Sequence, residues 1–327
     1  MDFLSAESLP WVSQARQRLR DSLRAGRLPH STLLLSSPGL GAEQFANWMA
    51  ALGLCESQTA PPCGVCASCA LLRSDSHPDY HVVRLEEKAK QIKVDQVREL
   101  IGSLFLKSYR GGYKVAIIEG AETLNANGAN AFLKTLEEPS ADTMLVLIAR
   151  PTHRLPATIA SRCLRLSLRP PPKDEAVAWL ENHASPGQNW DAALALAGGA
   201  PLLAMELNGA GIAALEKEMQ GDVQALAAGA VDITLMAESW VKSNLELRLL
   251  WLENWITRRV SAASSEATSR QSAERVRLPA ALLKPKIRAL FELLDAARDL
   301  RRLASTSINQ QLALEALLLG GRTALAK

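Results

Sequence analysis

The sequence predicts an α/β domain with a parallel sheet, followed by a chain that is helical to its end. In the first half, short and almost continuous apolar runs alternate with helical stretches, which is typical of parallel strands buried on both faces. We predict strands over five runs: Leu33–Leu35, Tyr80–Val83, Val115–Ile118, Met144–Ala149 and Leu164–Leu168. Nothing strand-like follows Leu168. We therefore predict three domains: an α/β domain over residues 1–168, a small helical domain over 169–207 and a larger helical domain over 208–327.

Between the strands, apolar residues recur at helical spacing. This periodicity predicts four helices: Trp11–Ala25, one that begins at Gln44, Val94–Phe105 and Asn127–Glu138. The first stops because Gly26 and Pro29 interrupt it. The last ends before Pro139 because proline cannot donate to the helical ladder.

The second half begins with a proline-rich linker, Arg169–Lys173, and its helical pattern is interrupted at Gly198–Pro201. The Ser/Ala/Glu-rich stretch Ser261–Glu274 has no apolar period, so we predict a mobile loop there. Basic residues between Arg270 and Arg302 are interspersed with acidic ones, which favours a solvated face over a DNA-binding one. One apolar stripe steps by three and four residues, as a helix face does; it comprises Leu283, Ile287, Leu290, Leu294 and Ala297.

Composition excludes several classes of protein. The 327 residues are 48% hydrophobic and 5% aromatic, so aliphatic side chains must fill the cores. A net charge of +3 is too small to indicate a dedicated nucleic-acid binder. No apolar run approaches the roughly 18 residues that span a bilayer, and Met1–Leu4 lacks the layout of a signal peptide. We therefore expect a cytoplasmic protein whose five cysteines are not paired in disulfides.

A glycine-bearing loop after the first predicted strand has the context of a phosphate-binding loop, because a strand precedes it and a helix follows it. Ser37, Gly39 and Gly41 provide its frame. Ala42 stands where a lysine would reach the phosphates, and Glu43 where a small hydroxyl would hold magnesium. An ordinary strand-to-helix turn with two permissive glycines would give the same pattern. The loop alone leaves both interpretations open.

An acidic motif after the third predicted strand favours a degenerate ATPase site. That strand leads into Glu119, Gly120 and Glu122. ATPases of this kind place an aspartate there for magnesium and a glutamate beside it to activate water. Glu119 keeps an acid at the first place, whereas Gly120 cannot act as a base. Together with Ala42 and Glu43, these losses predict a site without ATP hydrolysis, and we expect no functional ATP binding.

Four cysteines, Cys55, Cys63, Cys66 and Cys69, are separated by seven, two and two residues. Two-residue spacings let successive thiolates converge on one tetrahedral metal ion, and a complete set of four thiolates is typical of structural zinc. An iron–sulfur cluster and four unliganded thiols remain alternatives. Cys163 lies far along the sequence from this cluster.

Longer motifs resemble one known family. Lys114–Glu119 and Ala129–Pro139 strongly resemble the clamp-loader ATPases of the AAA+ class, and Ser161–Cys163 matches their Ser-Arg-Cys motif. The resemblance extends from Pro10 to about Pro201 and is weak beyond it. It implies that the α/β domain is an AAA+ domain of the P-loop type with a zinc module inserted near residues 55–69. It also implies that the helical domains are a lid and a collar, the collar joining five subunits in a ring.

The resemblance gives one arginine a role. In the family, the arginine of this motif projects into the ATP site of the neighbouring subunit. The resemblance therefore implies that Arg162 is a catalytic arginine finger acting in trans, with Ser161 and Cys163 as its motif neighbours. The absent lysine implies a non-hydrolysing member of the family. Such a protein is no enzyme alone but a subunit of a DNA-polymerising complex, a nucleotidyltransferase.

The resemblance also implies partners. The expected neighbours are the family's delta subunit and its gamma/tau ATPases, and the complex would act on the sliding clamp and on primer–template DNA. Two other functions remain open from the sequence. One is an ATPase in its own right with a divergent loop, which ATP turnover by the isolated protein would favour. The other is a stand-alone zinc-bearing module, which salt-dependent binding of nucleic acid would favour.

Overall fold

The computed structural model describes residues 3–86, 89, 91–150, 155–184, 190–208, 211–269, 285–303 and 309–325. These residues group into two compact units. The N-terminal unit comprises the described residues of Met1–Glu175 together with Ala200–Leu203. The C-terminal unit comprises those of Ala176–Gly199 together with Ala204–Lys327. The three-domain division stays a prediction.

A five-stranded parallel sheet lies at the centre of the N-terminal unit. Its strands, in sequence order, are β1 Ser31–Leu35, β2 Tyr80–Val83, β3 Lys114–Glu119, β4 Thr143–Ala149 and β5 Leu164–Ser167. Their order across the sheet is β2-β3-β4-β1-β5, and every neighbouring pair is parallel. The predicted strands and the AAA+-type α/β architecture are therefore confirmed.

Helices of the N-terminal unit precede the first strand and connect the others. The described ones are α1 Ser13–Arg24, α2 Ala42–Leu54, α3 Ala67–Arg73, α4 Val94–Phe105, α5 Ala126–Glu137 and α6 Ala157–Ala160. Short 3-10 helices cover Phe3–Ser8, Pro10–Val12 and Ala121–Thr123. Helix α4 has the predicted bounds, whereas α2 begins at Ala42 rather than Gln44. The earlier start follows from Gly41, because its φ of 80° turns the loop directly into the helix.

The core of the N-terminal unit explains why its strands are apolar on both faces. All seven residues of β4 are buried, and in the ladder with β1 Leu33 lies beside Leu147. Phe132 of α5 is fully buried in the same core cluster as Leu33, and Leu100 of α4 belongs to it as well. If one face of β4 carried no apolar side chains, the helices packed on that face would lose their apolar contacts. Both faces must therefore be hydrophobic.

The described part of the protein after β5 is helical. Its helices are α7 Lys173–His183, α8 Trp190–Leu196, α9 Pro201–Asn208, α10 Ile212–Ala228, α11 Ile233–Lys242, α12 Leu245–Ser269, α13 Pro285–Leu303 and α14 Gln310–Leu325. Gly198 and Gly199 have positive φ and separate α8 from α9, at the predicted interruption. Across the ranges described above, no helix is both long and apolar enough to cross a membrane.

The predicted loop Ser261–Glu274 is wrong over its first part, because α12 continues to Ser269. The stretch lacks an apolar stripe, yet its alanines and glutamate favour helix. Extending an existing helix also avoids the cost of nucleation. The rest of the predicted loop, residues 270–274, lies outside the described residues.

The predicted apolar stripe falls on α13. Leu290, Leu294 and Ala297 are buried there. Leu283 and the side chain of Ile287 lie outside the described part of the protein. The basic stretch from Arg270 is described from residue 285 onward, where exposed ion pairs join Arg288 to Glu292 and Arg298 to Asp295. Its role stays a prediction.

Candidate functional site

The four clustered cysteines meet beyond the C-terminal end of α2. Cys55 follows α2 directly, Cys63 lies in the next loop, and Cys66 and Cys69 are at the start of α3. Gly64, with a φ of 73°, allows the tight turn between Cys63 and Cys66. The four Sγ atoms lie within 4.8 Å of one another, and those of Cys55 and Cys66 are 3.9 Å apart. The structure therefore brings together all four predicted ligands.

Backbone N–H groups donate to these sulfur atoms. The amides of Ser57 and Cys63 donate to Cys55 Sγ at 3.4 and 3.3 Å. The amide of Cys66 donates to Cys63 Sγ, and that of Cys69 to Cys66 Sγ, both at 3.4 Å. Donors placed in this way stabilise negative charge on sulfur, which is the form that binds a metal.

The electrostatics of the thiols fit a bound cation. Hydrogen bonds from the backbone of Val65 and Cys66 lower the pKa of Cys63 to about 6. Burial raises the pKa of Cys55 and of Cys69. A cation at the centre reverses that effect of burial, because it stabilises each thiolate directly. A tetrahedral Zn–S distance of about 2.3 Å implies sulfurs roughly 3.8 Å apart, so the donor set fits a metal such as zinc.

The two nearest histidines are not part of the cluster. Among the described residues, the metal-binding group that includes these thiols contains only the four cysteines. His77 is 4% exposed, and its Nδ1 accepts from the backbone N–H of Asp79 at 3.1 Å. Asp79 in turn accepts from the backbone N–H groups of Tyr109 and Arg110 at 2.7 and 3.1 Å. His77 therefore holds its own turn before β2, Asp79 anchors the loop at residues 109–110, and His81 lies half-buried in β2.

The glycine loop joins β1 to α2, as predicted. Ser37 is exposed, and Gly39 and Gly41 have φ of 77° and 80°. Ala42 is buried, whereas Glu43 is exposed in the first turn of α2. The loop joins a strand to a helix through two glycines of positive φ, but Ala42 supplies no charge there and the carboxylate of Glu43 opposes an anion.

The first turn of α9 packs against this loop within the N-terminal unit. The N–H of Leu202 donates to the C=O of Gly39 at 3.1 Å. A Cβ atom on Gly39 would lie 2.3 Å from Leu203 Cβ, and one on Gly41 would lie 2.4 Å from Leu9 Cδ1. Side chains of the protein therefore fill the space beside both glycines.

The acidic residue at the end of β3 interacts electrostatically with a second carboxylate. Glu119 pairs with Arg84 at 3.3 Å. Burial raises the pKa of Glu119, Arg84 lowers it, and the charge of Glu43 raises it. Gly120, with a φ of 70°, follows Glu119 and has no side chain that could act as a base. This edge of the sheet therefore gathers negative charge, which opposes the binding of an anion there.

Glu122 lies in the 3-10 helix after β3, and its side chain is 7% exposed. Arg150, which follows β4, is 3.8 Å from it. The Oε2 atom of Glu122 has no hydrogen-bond partner within the described part of the protein. Glu122 is therefore the buried half of an ion pair.

Arg162 is fixed at its backbone and at its guanidinium. Its C=O accepts from Ser31 Oγ at 2.7 Å, and its N–H donates to the C=O of Ile159 at 3.1 Å. Nε donates to Glu137 Oε1 at 2.8 Å, and Nη1 donates to the C=O of Thr158 at 2.9 Å. The side chain is 35% exposed. A positive group is thus held in one orientation at the surface.

The motif neighbours of Arg162 have different surroundings. Ser161 is exposed and caps the C-terminal end of α6. Cys163 is half-buried, and burial raises the pKa of its thiol. Cys163 packs against the core of the N-terminal unit, so it is a structural neighbour of Arg162.

Sequence reasoning missed two sets of residues. Glu137 holds the guanidinium of Arg162. Its position at the end of α5 is the one sequence feature that could have indicated this role, because a carboxylate in the last turn of a helix is disfavoured by the helix dipole. Leu202 and Leu203 pack against the glycine loop although they lie far from it along the sequence. No local pattern could have indicated that contact.

Comparison with known proteins points to one family. Residues 11–172 match the family model described as DNA polymerase III, delta subunit. Over 255 residues the sequence is 38% identical to DNA polymerase III subunit delta' of Pseudomonas aeruginosa, and the match covers 76% of each protein. It is 38% identical over 200 residues to the Escherichia coli subunit delta', and that match covers 61% of this protein and 60% of the relative.

A more distant similarity concerns another subunit. The sequence is 34% identical over 152 residues to DNA polymerase III subunit tau of Escherichia coli, a match that covers 46% of this protein and 23% of the relative. The delta' similarity is therefore the longer and the stronger of the two.

Proposed function

The protein belongs to the family of DNA polymerase III delta' subunits, and from that membership we propose that it is a non-hydrolysing subunit of a clamp-loader complex. In this role it supplies a rigid surface and Arg162 to a neighbouring ATPase subunit. The complex loads the sliding clamp onto primed DNA, while this subunit turns over no ATP itself.

The geometry of the glycine loop supports the absence of hydrolysis. Binding of a nucleotide requires positive charge near its phosphates. Here Ala42 replaces the lysine, and Glu43 and Glu119 add negative charge at the same edge of the sheet. Leu203 packs against the loop itself. Gly120 leaves no base to activate water. Each change alone would weaken an ATPase, and together they remove its working parts.

The observation that carries the proposed role in trans is the fixed orientation of Arg162. A guanidinium that is held at its backbone by Ser31 and at its side chain by Glu137 and Thr158 is pre-organised for a phosphate. Arginine fingers contribute on the order of 10³-fold or more to phosphoryl transfer at the site they serve, because they stabilise charge that develops in the transition state.

A structural metal completes the proposal. Zinc would be held by Cys55, Cys63, Cys66 and Cys69, where it would tie the loop after α2 to the start of α3. Four thiolates leave no open coordination position, so a catalytic role for the ion is not proposed.

The proposed partners follow from the family. They are the delta subunit and the gamma/tau ATPases in a hetero-oligomeric ring, with the sliding clamp and primer–template DNA reached through the complex. A nucleotide that binds across the boundary between two subunits favours the closed contact, because it gains the arginine only there. ATP binding by a neighbour is thereby linked to the geometry of the ring.

Replacement of Arg162 by alanine in a reconstituted complex tests this function. We expect steady-state ATP turnover to fall, with turnover at the site that receives Arg162 reduced on the order of 10³-fold. Assembly, measured by size-exclusion chromatography, should be unchanged. Arg165→Ala is the matched control, because Arg165 is an exposed arginine of β5 that contacts Ala160 rather than Glu137. Equal turnover with Arg162→Ala and Arg165→Ala would refute the role.

A further inference from the structure

We propose that Glu137 is a positioning residue for Arg162: it holds one edge of the guanidinium so that the opposite end is presented to a phosphate of the neighbouring subunit. This inference rests on the proposed function of Arg162 in trans and goes beyond it, because it names the side chain that prepares the arginine. Glu137 itself would touch no nucleotide.

The contact is direct and one-sided. Glu137 Oε1 accepts from Nε of Arg162 at 2.8 Å and also pairs with Nη2. The carboxylate therefore lies along the edge formed by Nε and Nη2. On the other side, Nη1 donates to the backbone carbonyl of Thr158 at 2.9 Å. These two partners approach the guanidinium from different sides and fix the plane of the group.

The guanidinium of Arg162 has N–H donors that its contacts with Glu137 and Thr158 do not use. An arginine has five N–H groups. Two face Glu137 and one faces the C=O of Thr158. Ser161 Oγ is 3.4 Å from Nη1, too long for a strong bond. One N–H on each terminal nitrogen is thus left over among the described contacts, and two donors on one guanidinium can recognise a phosphate bidentately.

The position of Glu137 is not explained by the stability of its own helix. Glu137 is the last residue of α5, where the negative end of the helix dipole disfavours a carboxylate. Its side chain is 50% exposed, and ion pairs at such exposure contribute little to folding stability. Because Glu137 is unfavourable for its own helix and its ion pair adds little stability, we infer that its contribution is to orient Arg162.

Orientation matters because an arginine side chain is flexible. A free guanidinium must lose rotamer entropy when it reaches a phosphate across a subunit boundary, and that loss is smaller when the free subunit has already restricted it. The backbone is prepared in the same way, since Ser31 Oγ donates to the C=O of Arg162 at 2.7 Å. Glu137 extends that restraint from the backbone to the charged end of the side chain.

The ion pair between Glu137 and Arg162 could also have the opposite effect and restrain the arginine. If Glu137 kept Arg162 away from the phosphate, its removal would release the arginine and raise ATP turnover. Positioning and restraint therefore predict changes of opposite sign, which makes one substitution decisive.

The experiment is ATP turnover of the reconstituted complex with Glu137→Ala. We expect a reduction of about 10-fold in kcat at the site that receives Arg162, so that Glu137→Ala removes about nine-tenths of the turnover that Arg162→Ala removes. The KM for ATP should change much less than kcat. Glu137→Gln, which keeps an oxygen acceptor in the same place, should recover a substantial part of the loss. Unchanged or increased turnover with Glu137→Ala overturns the inference.

Two comparisons separate this inference from the proposed function. Glu138→Ala is the matched control, because Glu138 is the adjacent exposed carboxylate and makes none of the described contacts with Arg162. In the Arg162→Ala background, Glu137→Ala should have no further effect, since Glu137 acts only through the arginine; a further reduction there would also contradict the inference.

If Arg162→Ala itself leaves turnover unchanged, the proposed function fails; if Arg162→Ala reduces turnover and Glu137→Ala does not, only the positioning role fails.

Discussion

Gly39 shows at the scale of one residue how the glycine loop packs against Leu203 in the same unit. Its φ of 77° belongs to the left-handed region, which costs other residues about 1–2 kcal/mol. A side chain there would also meet Leu203 Cβ at 2.3 Å and Leu203 N at 2.5 Å. Because one of these atoms belongs to the backbone, the contact cannot be relieved by a side-chain rotation.

We therefore expect Gly39→Ala to lower the free energy of unfolding by about 2–5 kcal/mol, the sum of backbone strain and overpacking. The measurement is denaturant unfolding of the full-length protein. Gly26→Ala is the matched control, because Gly26 has a φ of 64° but nothing within 4 Å of an added Cβ atom. It should show only the backbone part, about 1–2 kcal/mol. Equal losses in both variants would contradict the packing of Leu203 against the loop.

Glu119 gives a pH dependence whose sign follows from its surroundings. Burial raises its pKa above the ordinary value of 4.5. A carboxyl group with a raised pKa in the folded state destabilises the fold above that pKa, and the penalty fades as the pH falls toward the unfolded value. We expect Glu119→Gln to increase the free energy of unfolding at about pH 7 and to have a smaller effect at about pH 4.

The comparison for Glu119 is Glu99→Gln, a change at an exposed carboxylate on α4. Between neutral and acidic pH, the free energy of unfolding of Glu119→Gln should change by a different amount from that of Glu99→Gln. If Glu119→Gln were destabilising at neutral pH, the ion pair with Arg84 would outweigh burial, and the electrostatic account of this edge of the sheet would be wrong.

The residues of the candidate site differ in whether the sequence could predict them and their contacts. The four cysteines are close along the sequence, so their spacing, together with the family resemblance, predicted a cluster that the structure then assembled. Arg162 was identified through a resemblance, and its role stays a prediction. Glu137 lies 25 residues before Arg162, at the end of α5, whereas Arg162 follows α6, and the sequence has no rule that pairs them. Contacts of this kind depend on how α5 and α6 pack, which a local pattern does not encode.

At the scale of an element, the segment from Cys55 to the end of α3 is short and depends on its thiols. Few apolar side chains lie in it, so a metal would supply much of its order. We expect about one zinc ion per protein molecule by metal analysis of the purified protein. Cys66→Ser and Cys69→Ser should each lower that content, because each removes one of four ligands.

The matched control for the metal is Cys163→Ser, since Cys163 lies outside the cluster. Its metal content should equal that of the unchanged protein. Iron in place of zinc would favour an iron–sulfur cluster, and the absence of both metals would contradict the proposed site.

The helices illustrate where local patterns succeed and where they fail. Helix α4 has a clear apolar face and the predicted bounds. Helix α12 extends through a stretch without an apolar period, because a helix that already exists continues at little cost. Periodicity thus detects helices that bury a face and misses helical extensions that do not.

At the scale of the whole molecule, apolar runs in alternation with helices predicted a parallel sheet but not its strand order. The order β2-β3-β4-β1-β5 places β1 beside β4, although β2 and β3 lie between them along the sequence. That order brings Ser31 of β1 next to Arg162 before β5, and the glycine loop next to the end of β4 through the hydrogen bond from Ser36 N–H to the C=O of Ala149. Parallel topology, not local sequence, assembles this edge.

The central claim is that the inherited nucleotide site of this protein does no work and that the protein acts on a neighbour's site. Phosphate release by the isolated, pure protein tests it most directly. We expect no steady release, and no increase when the protein concentration is raised. Steady release that falls when Glu119 is changed to glutamine would contradict the claim, because a contaminating ATPase would not respond to that substitution.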